Sequence, residues 1–255
     1  MSVVIPVYNE EQAITTIVPS VRKVLEARGA EWEIIVVDNA SDDRTVQRVA
    51  ELSGEDSRIR MLRNDVNRGK GYSVRRGMLD ARFELRLMCD ADCTPSLVSL
   101  PAMEEKIAVA DIVAGARNAP DSNVARYQPI QRRAASHGFI FLCRQVMGEP
   151  LRDIFCGFKL FRGEAAEDVF SRTRIEGWAF DAEMFAIARA RGYRVVPCGI
   201  VWSHRPGSRL SIVKVAIPAL RELIAARSYI KAQRADAPGR QPEAISPLAG
   251  GHPES

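Results

Sequence analysis

Short apolar, β-branched runs alternate with helix-period segments through the first half of the chain, and this alternation leaves few folds open. Val3 to Val7 (VVIPV) predicts a buried strand. Ile14, Ile17, Val18, Val21, Val24 and Leu25 then recur at helical spacing between Glu11 and Arg28, with Gly29 as the stop. Glu33 to Val37 (EIIVV) predicts a second strand, and Ser41, followed by Asp42 and Asp43, suits the N-cap of its helix. Ile59 to Leu62 predicts a third strand, leading through NRGKG to a helix from about Tyr72; Leu85 to Met88 and Asp111 to Ala114 predict two more. Strand–helix–strand units of this kind cross over right-handed, giving an α/β fold with a mainly parallel central sheet flanked by helices.

Polar residues collect just beyond the predicted strand ends. Asn9 and Glu10 follow the first, Asp38 the second, Asn67 to Gly71 the third, Asp90 and Asp92 the fourth and Arg117 the fifth. Ligands of open α/β sheets bind outside the carboxyl ends of the strands, so these positions share one candidate edge. In LRLMCDADCT (85–94), Asp90 and Asp92 have the spacing that places two carboxylates on one side of an extended segment. Such a pair repels unless a cation intervenes, and oxygen ligands favour Mg²⁺ or Mn²⁺. A solvated turn is the plain alternative. Asn67-Arg-Gly-Lys-Gly71 offers small residues where backbone could approach a phosphate, with Lys70 as a cation. It matches neither the P-loop pattern nor the dinucleotide-binding glycine fingerprint, which argues against both classes.

With 255 residues the chain can bury a sizeable core, and a net charge of only +4 gives no global field for nucleic acid. The five cysteines form no C-x-x-C pair and suit reduced, buried thiols of a cytoplasmic protein; Cys89 and Cys93 read as packing residues. No signal peptide and no membrane-spanning run is expected. Residues 235–255, rich in proline and glycine, predict a disordered tail. Residues 212–234 predict a basic helix, in which Lys214, Arg221, Arg227 and Lys231, with Arg209 just before it, stand against the single acid Glu222. That composition suits peripheral attachment to the inner face of a membrane, with packing on the domain or a partner subunit as the alternative; an oligomer is compatible with the sequence.

Together VVIPVYNE, IIVVDNASDDRT, RNDVNRGKG and CDAD resemble the inverting glycosyltransferases of family 2, which have the GT-A fold. DIFCGFKLF (153–161), EGWAFDAE (176–183) and RPGSRLS (205–211) bring the resemblance closest to polyprenyl-phosphate sugar synthases, above all the dolichyl-phosphate glucosyltransferases, with the mannose synthases as cousins. It covers residues 2 to 211 and implies a domain over 1–211.

The resemblance implies transfer of a hexosyl group from a nucleotide-sugar, UDP-glucose before GDP-mannose, to polyprenyl or dolichyl phosphate, with a divalent metal. It places Pro6, Tyr8 and Glu10 in a nucleotide-contacting loop, Asp38 beside nucleobase and ribose, Asp90 and Asp92 on the metal, and Lys70 and Arg209 near the donor phosphates. Arg117, Arg133 and Ser136 fall where mannose synthases recognise the acceptor phosphate. That nucleophile, with a second pKa of about 6, needs orientation more than a base. For a hydroxyl acceptor on a soluble molecule, Asp181 or Glu183 is the candidate base, against a purely structural, helix-capping Asp181. A non-catalytic nucleotide-sugar-binding protein is a further alternative, disfavoured by the intact Asp90, Asp92, Asp181 and Arg209. His137 and His204 are not expected to be catalytic, and Trp178 and Phe180 are expected in the core. Two departures stand out: Asn39-Ala40 replaces the usual Asp-Gly, and Cys93 replaces a mannose-synthase glutamine that helps with the metal, leaving a third protein ligand open.

Overall fold

A computed structural model describes residues 1–126, 130–148, 153–203 and 212–233, with the side chains of 124–126, 130–137, 147 and 212–215 excepted. Arg209, His204 and the expected tail lie outside the described residues, as do the side chains of Arg133, Ser136 and His137.

The chain order is β1 (Ser2–Val7), α1 (Glu11–Glu26), β2 (Glu33–Asp38), α2 (Thr45–Glu55), β3 (Ile59–Arg63), α3 (Lys70–Asp80), β4 (Leu85–Cys89), α4 (Leu100–Ile107) and β5 (Ile112–Ala116). There follow β6 (Asn123–Arg126), α5 (Ile130–Met147), β7 (Phe158–Arg162), α6 (Gly163–Arg172), α7 (Phe180–Ala190), β8 (Val195–Gly199), β9 (Val201–Ser203) and α8 (Ile212–Ala232). A seven-stranded sheet runs β3-β2-β1-β4-β7-β5-β8, and β6 pairs with β9 separately. Within the large sheet β7 alone runs antiparallel to its neighbours. The other pairings are parallel.

Strand periodicity divides the core between two faces. Val4, Ile35 and Val37 point to one, shared with α3, α6 and α7. Val3, Ile5, Ile34 and Val36 point to the other, covered by α1 and α4. Helix α8 packs against α5 and α7, burying Ala219, Leu223 and Ile230. Among the described residues, no helix is long and apolar enough to cross a membrane.

Two local expectations are corrected. The second helix starts at Thr45, not at Ser41. Ser41 spends its hydroxyl on the Asn9 N–H (2.9 Å), tying two loops together, while Asp43 accepts from the Thr45 N–H (2.9 Å). The β4 segment ends at Cys89, and Asp90 to Asp92 lie in a turn closed by the Cys93 N–H on the Asp90 carbonyl (2.9 Å). The two carboxylates therefore come together through a turn and not through strand alternation.

Candidate active site

The crevice opens where β1 and β4 part. They pair only through Val4↔Met88, whereas β1 continues beside β2 to Val7↔Asp38. The Val7 carbonyl accepts from the Asn39 N–H, so Pro6 turns its backbone nitrogen to the opposite side, where the ladder has already ended. Strands 1 to 3 step one way across the sheet and β4 lies on the other side of β1, which makes this gap a topological switch point.

On the β2 side, Asp38 is fully buried and accepts from the Ser41 N–H with both oxygens (3.3 and 3.2 Å). Tyr8 is exposed beside it. Glu10 begins the loop-to-helix junction, its N–H held by Thr45 Oγ1 at 2.9 Å. Asn39 shows what an amide does at a position where the resemblance implies a carboxylate. Its Nδ2 donates to Asn67 Oδ1 (2.8 Å), and its Oδ1 accepts from Asn64 Nδ2 (3.0 Å) and the Arg68 N–H (3.1 Å). A carboxylate has no donor for the first of these bonds. Ala40 follows with φ +61°, a left-handed backbone that glycine would adopt without strain.

The glycines of NRGKG have a reason the sequence does not disclose. A Cβ at Gly69 would lie 2.3 Å from the Glu176 carbonyl oxygen, and one at Gly71 2.5 Å from that of Ile175. The close approach is thus made by the protein's own segment 175–177, which the Tyr72 N–H also bonds through the Glu176 carbonyl (3.2 Å). Lys70, the first residue of α3, projects toward the β4 turn. Its Nζ contacts Asp90 Oδ2 at 2.6 Å and stands 5.1 Å from the Trp178 ring centroid and 5.9 Å from that of Phe180. Phe180 is core as expected; Trp178 is exposed at the crevice. Burial works against the Lys70 charge, yet the Asp90 and Asp181 carboxylates more than compensate and hold its proton well above the ordinary lysine range.

Asp90 Oδ1 is buried and accepts no hydrogen bond. Asp92 is exposed on the turn. Its carboxyl is pushed up, first by the protein crowding its inner side and then by the charge of Asp90. Beneath the turn the Asp90 N–H donates to the Gly157 carbonyl (2.8 Å), and a Cβ at Gly157 would collide with the Asp90 carboxylate at 1.8 Å. Cys93 packs under the same turn, its Sγ 3.6 Å from the Gly157 oxygen. All five cysteines are free and buried, as their sequence pattern suggested.

Arg117, just past β5, is locked by Asp153: the guanidinium donates from Nε (2.9 Å) and Nη2 (2.7 Å), and the backbone N–H adds a third bond (2.8 Å). Burial of Asp153 is outweighed by Arg117, which keeps this carboxyl below its usual range. Asp181 is not a helix cap. It lies in the first turn of α7, is 2% exposed, and accepts from Lys159 Nζ at 2.6 Å. Lys159 is itself completely buried and also donates to the Cys156 carbonyl (2.5 Å). Burial raises the Asp181 carboxyl despite Lys159 and Lys70. Glu183 is buried too, accepting from the Arg174 and Ile175 N–H groups at 2.9 and 2.8 Å. The Lys159 partner was not foreseen; a lysine in the apolar run GFKLF was its only signal.

The site therefore gathers Lys70, Asp90, Asp92, Asp181 and Arg117 at one sheet edge. Asp90 and Asp92 suit a hard divalent cation: one oxygen lacks a partner and the two carboxylates repel. No group of three metal-ligating His, Cys, Asp or Glu residues occurs among the described residues.

Comparison with known proteins shows the family and the fold. The chain is 32% identical to a dolichyl-phosphate beta-glucosyltransferase of Trichomonas vaginalis, over 92% of this chain and 74% of that protein. It is also 32% identical to the dolichyl-phosphate beta-glucosyltransferase of Mus musculus, over 82% of this chain and 69% of the relative. Among solved structures, it resembles glucosyl-3-phosphoglycerate synthase from Mycobacterium tuberculosis in complex with Mn²⁺, UDP-glucose and phosphoglyceric acid, at TM-score 0.62 and 18% identity, covering 93% of this chain and 80% of that one. The architecture is the GT-A fold. Because the glycosyl transferase family 2 model matches residues 2–170, and these relatives span most of the chain, the protein belongs to that family and is a glycosyltransferase.

Proposed function

We propose that the protein transfers glucose from UDP-glucose to a polyprenyl or dolichyl phosphate, using a divalent cation held by Asp90 and Asp92. The observation that carries this reading is the paired-carboxylate turn with an unpartnered oxygen, set in the β1/β4 crevice. The relatives' named activity supports the sugar and the acceptor, and the neighbour crystallised with Mn²⁺ and UDP-glucose supports donor and metal. When bound, the cation neutralises the leaving diphosphate.

The chain's own residues do the rest. Lys70 faces the donor phosphates, Asp38 and Tyr8 line the nucleoside side, and Arg117, fixed by Asp153, orients an anionic acceptor, with Arg133, Ser136 and Arg209 as further contacts. A lipid phosphate is already ionised and needs no base. The alternative, a hydroxyl acceptor deprotonated by Asp181, is disfavoured because that carboxylate is buried and engaged by Lys159. Ile217, Arg221, Ile224 and Lys231 recur at helical spacing and are all exposed on α8, a stripe suited to an anionic membrane surface at which the lipid acceptor is met.

The test is incubation with UDP-glucose, GDP-mannose and UDP-N-acetylglucosamine against polyprenyl phosphate in anionic liposomes and against soluble phosphorylated acceptors, with Mn²⁺ or with chelator. Glucosylated lipid phosphate should form from UDP-glucose in the presence of Mn²⁺, with the protein sedimenting on the liposomes. Turnover that survives chelation or Asp92→Ala refutes the metal assignment, and preference for a soluble acceptor refutes the lipid one.

A further inference from the structure

Lys70 occupies a setting built for a cation. Its ammonium is enclosed by Asp90 at 2.6 Å, by the charges of Asp181 and Asp92, and by the faces of Trp178 and Phe180. Carboxylates and aromatic faces together are what a cation site offers. The protein fills that site itself, and it does so on Asp90, one of the two residues on which the divalent ion depends.

We propose that Lys70 is the resident counterion of Asp90, holding down divalent-cation affinity in the donor-free protein and coupling metal binding to donor binding by leaving Asp90 when a diphosphate enters. This rests on the metal reading given above. Three features support it. An ammonium on Oδ2 repels a second cation at the same carboxylate, even though Oδ1 is free. The described residues supply only two carboxylates at the turn, so a bound ion draws further oxygens from donor and water. Asp181, held by Lys159, also attracts the ammonium, so that Lys70 keeps a compensating charge when it leaves Asp90. A diphosphate entering the crevice supplies negative charge to both cations at once, and coupling of this kind is reciprocal between the two ligands.

The experiment measures Mn²⁺ binding directly, by titration calorimetry and by the electron paramagnetic resonance of free Mn²⁺, with and without UDP. Wild type, Lys70→Met, Lys70→Arg and Asp92→Asn are compared, and each is checked for folding by circular dichroism. Lys70→Met should bind Mn²⁺ without UDP about tenfold more tightly than wild type, the effect of removing one adjacent positive charge. The enhancement of Mn²⁺ affinity by UDP should shrink correspondingly. Lys70→Arg, which keeps the charge, should stay close to wild type, and Asp92→Asn should bind poorly throughout. Equal or weaker Mn²⁺ binding by Lys70→Met, with UDP enhancement intact, overturns the proposal and leaves the metal reading standing. Absence of Mn²⁺ binding in wild type even with UDP overturns both.

Discussion

Removal of Lys159 tests whether a charge pair sealed inside the fold supports the site. The hydrogen-bonded atoms of Lys159 and Asp181 are 2.6 Å apart, and the exposures of the two side chains are 0% and 3%. Coulomb attraction at an effective dielectric near 20 is at most about 6 kcal/mol at this separation. Desolvation of both groups offsets much of it, but deleting one partner leaves the other charge stranded at a cost of about 3–5 kcal/mol. Lys159→Met should therefore lower Tm by roughly 6–20 °C for a chain of this size. Lys159→Met/Asp181→Leu should recover most of the loss, giving a coupling of about 2 kcal/mol or more. The pH dependence has a defined sign. Burial already raises the Asp181 carboxyl, and loss of Lys159 raises it further, so the native variant keeps a proton that the unfolded chain releases above about pH 4. The deficit relative to wild type should be smallest near pH 4 and grow as pH rises toward the folded-state pKa. Urea melts of wild type, Lys159→Met, Asp181→Leu and the double variant between pH 4 and 8 provide the measurement. A single variant within about 1 kcal/mol of wild type, with a pH-independent difference, refutes the reasoning.

Gly157→Ala places a methyl group where the Asp90 carboxylate sits, 2.7 Å even from its Cβ, so rotation alone cannot clear it. The variant should fold but lose about 100-fold or more in kcat/KM, as a displaced site residue does; steady-state kinetics near wild type would show that the turn yields freely. Ala40→Gly should stabilise the protein by about 1 kcal/mol, because φ +61° strains alanine, and an unchanged or lower melting midpoint counts against that strain.

The parallel half of the sheet was legible because β1 to β5 are short, strongly apolar runs separated by helix-period segments. The later strands were not. In β7 the run FKLFR carries a lysine as its second residue, and nothing in a two-residue period reveals that it enters the sheet backwards. The residues of the candidate site, Asp90, Asp92, Lys70 and Asp181, could be named from the chain and its resemblance. Their partners could not. Lys159 is 22 residues from Asp181, and the glycines at 69 and 71 are shaped by backbone more than 100 residues downstream. Ser41 misled for a similar reason: a residue chemically fit to cap a helix was used across loops to hold Asn9.

The reversed β7 also has a consequence for how the molecule is made. Strands β3-β2-β1-β4 are contiguous in the first 89 residues, but the outer edge of β4 is covered only by residues 158–162. At ~5–20 residues per second, the stretch of about 70 residues between them takes ~4–14 s to synthesise. Throughout that interval a nascent half-sheet presents Leu87 and Cys89, buried in the finished protein, along an unpaired edge. Protection of that edge on the ribosome is part of the cost of a crevice completed by a strand that arrives late and from the opposite direction.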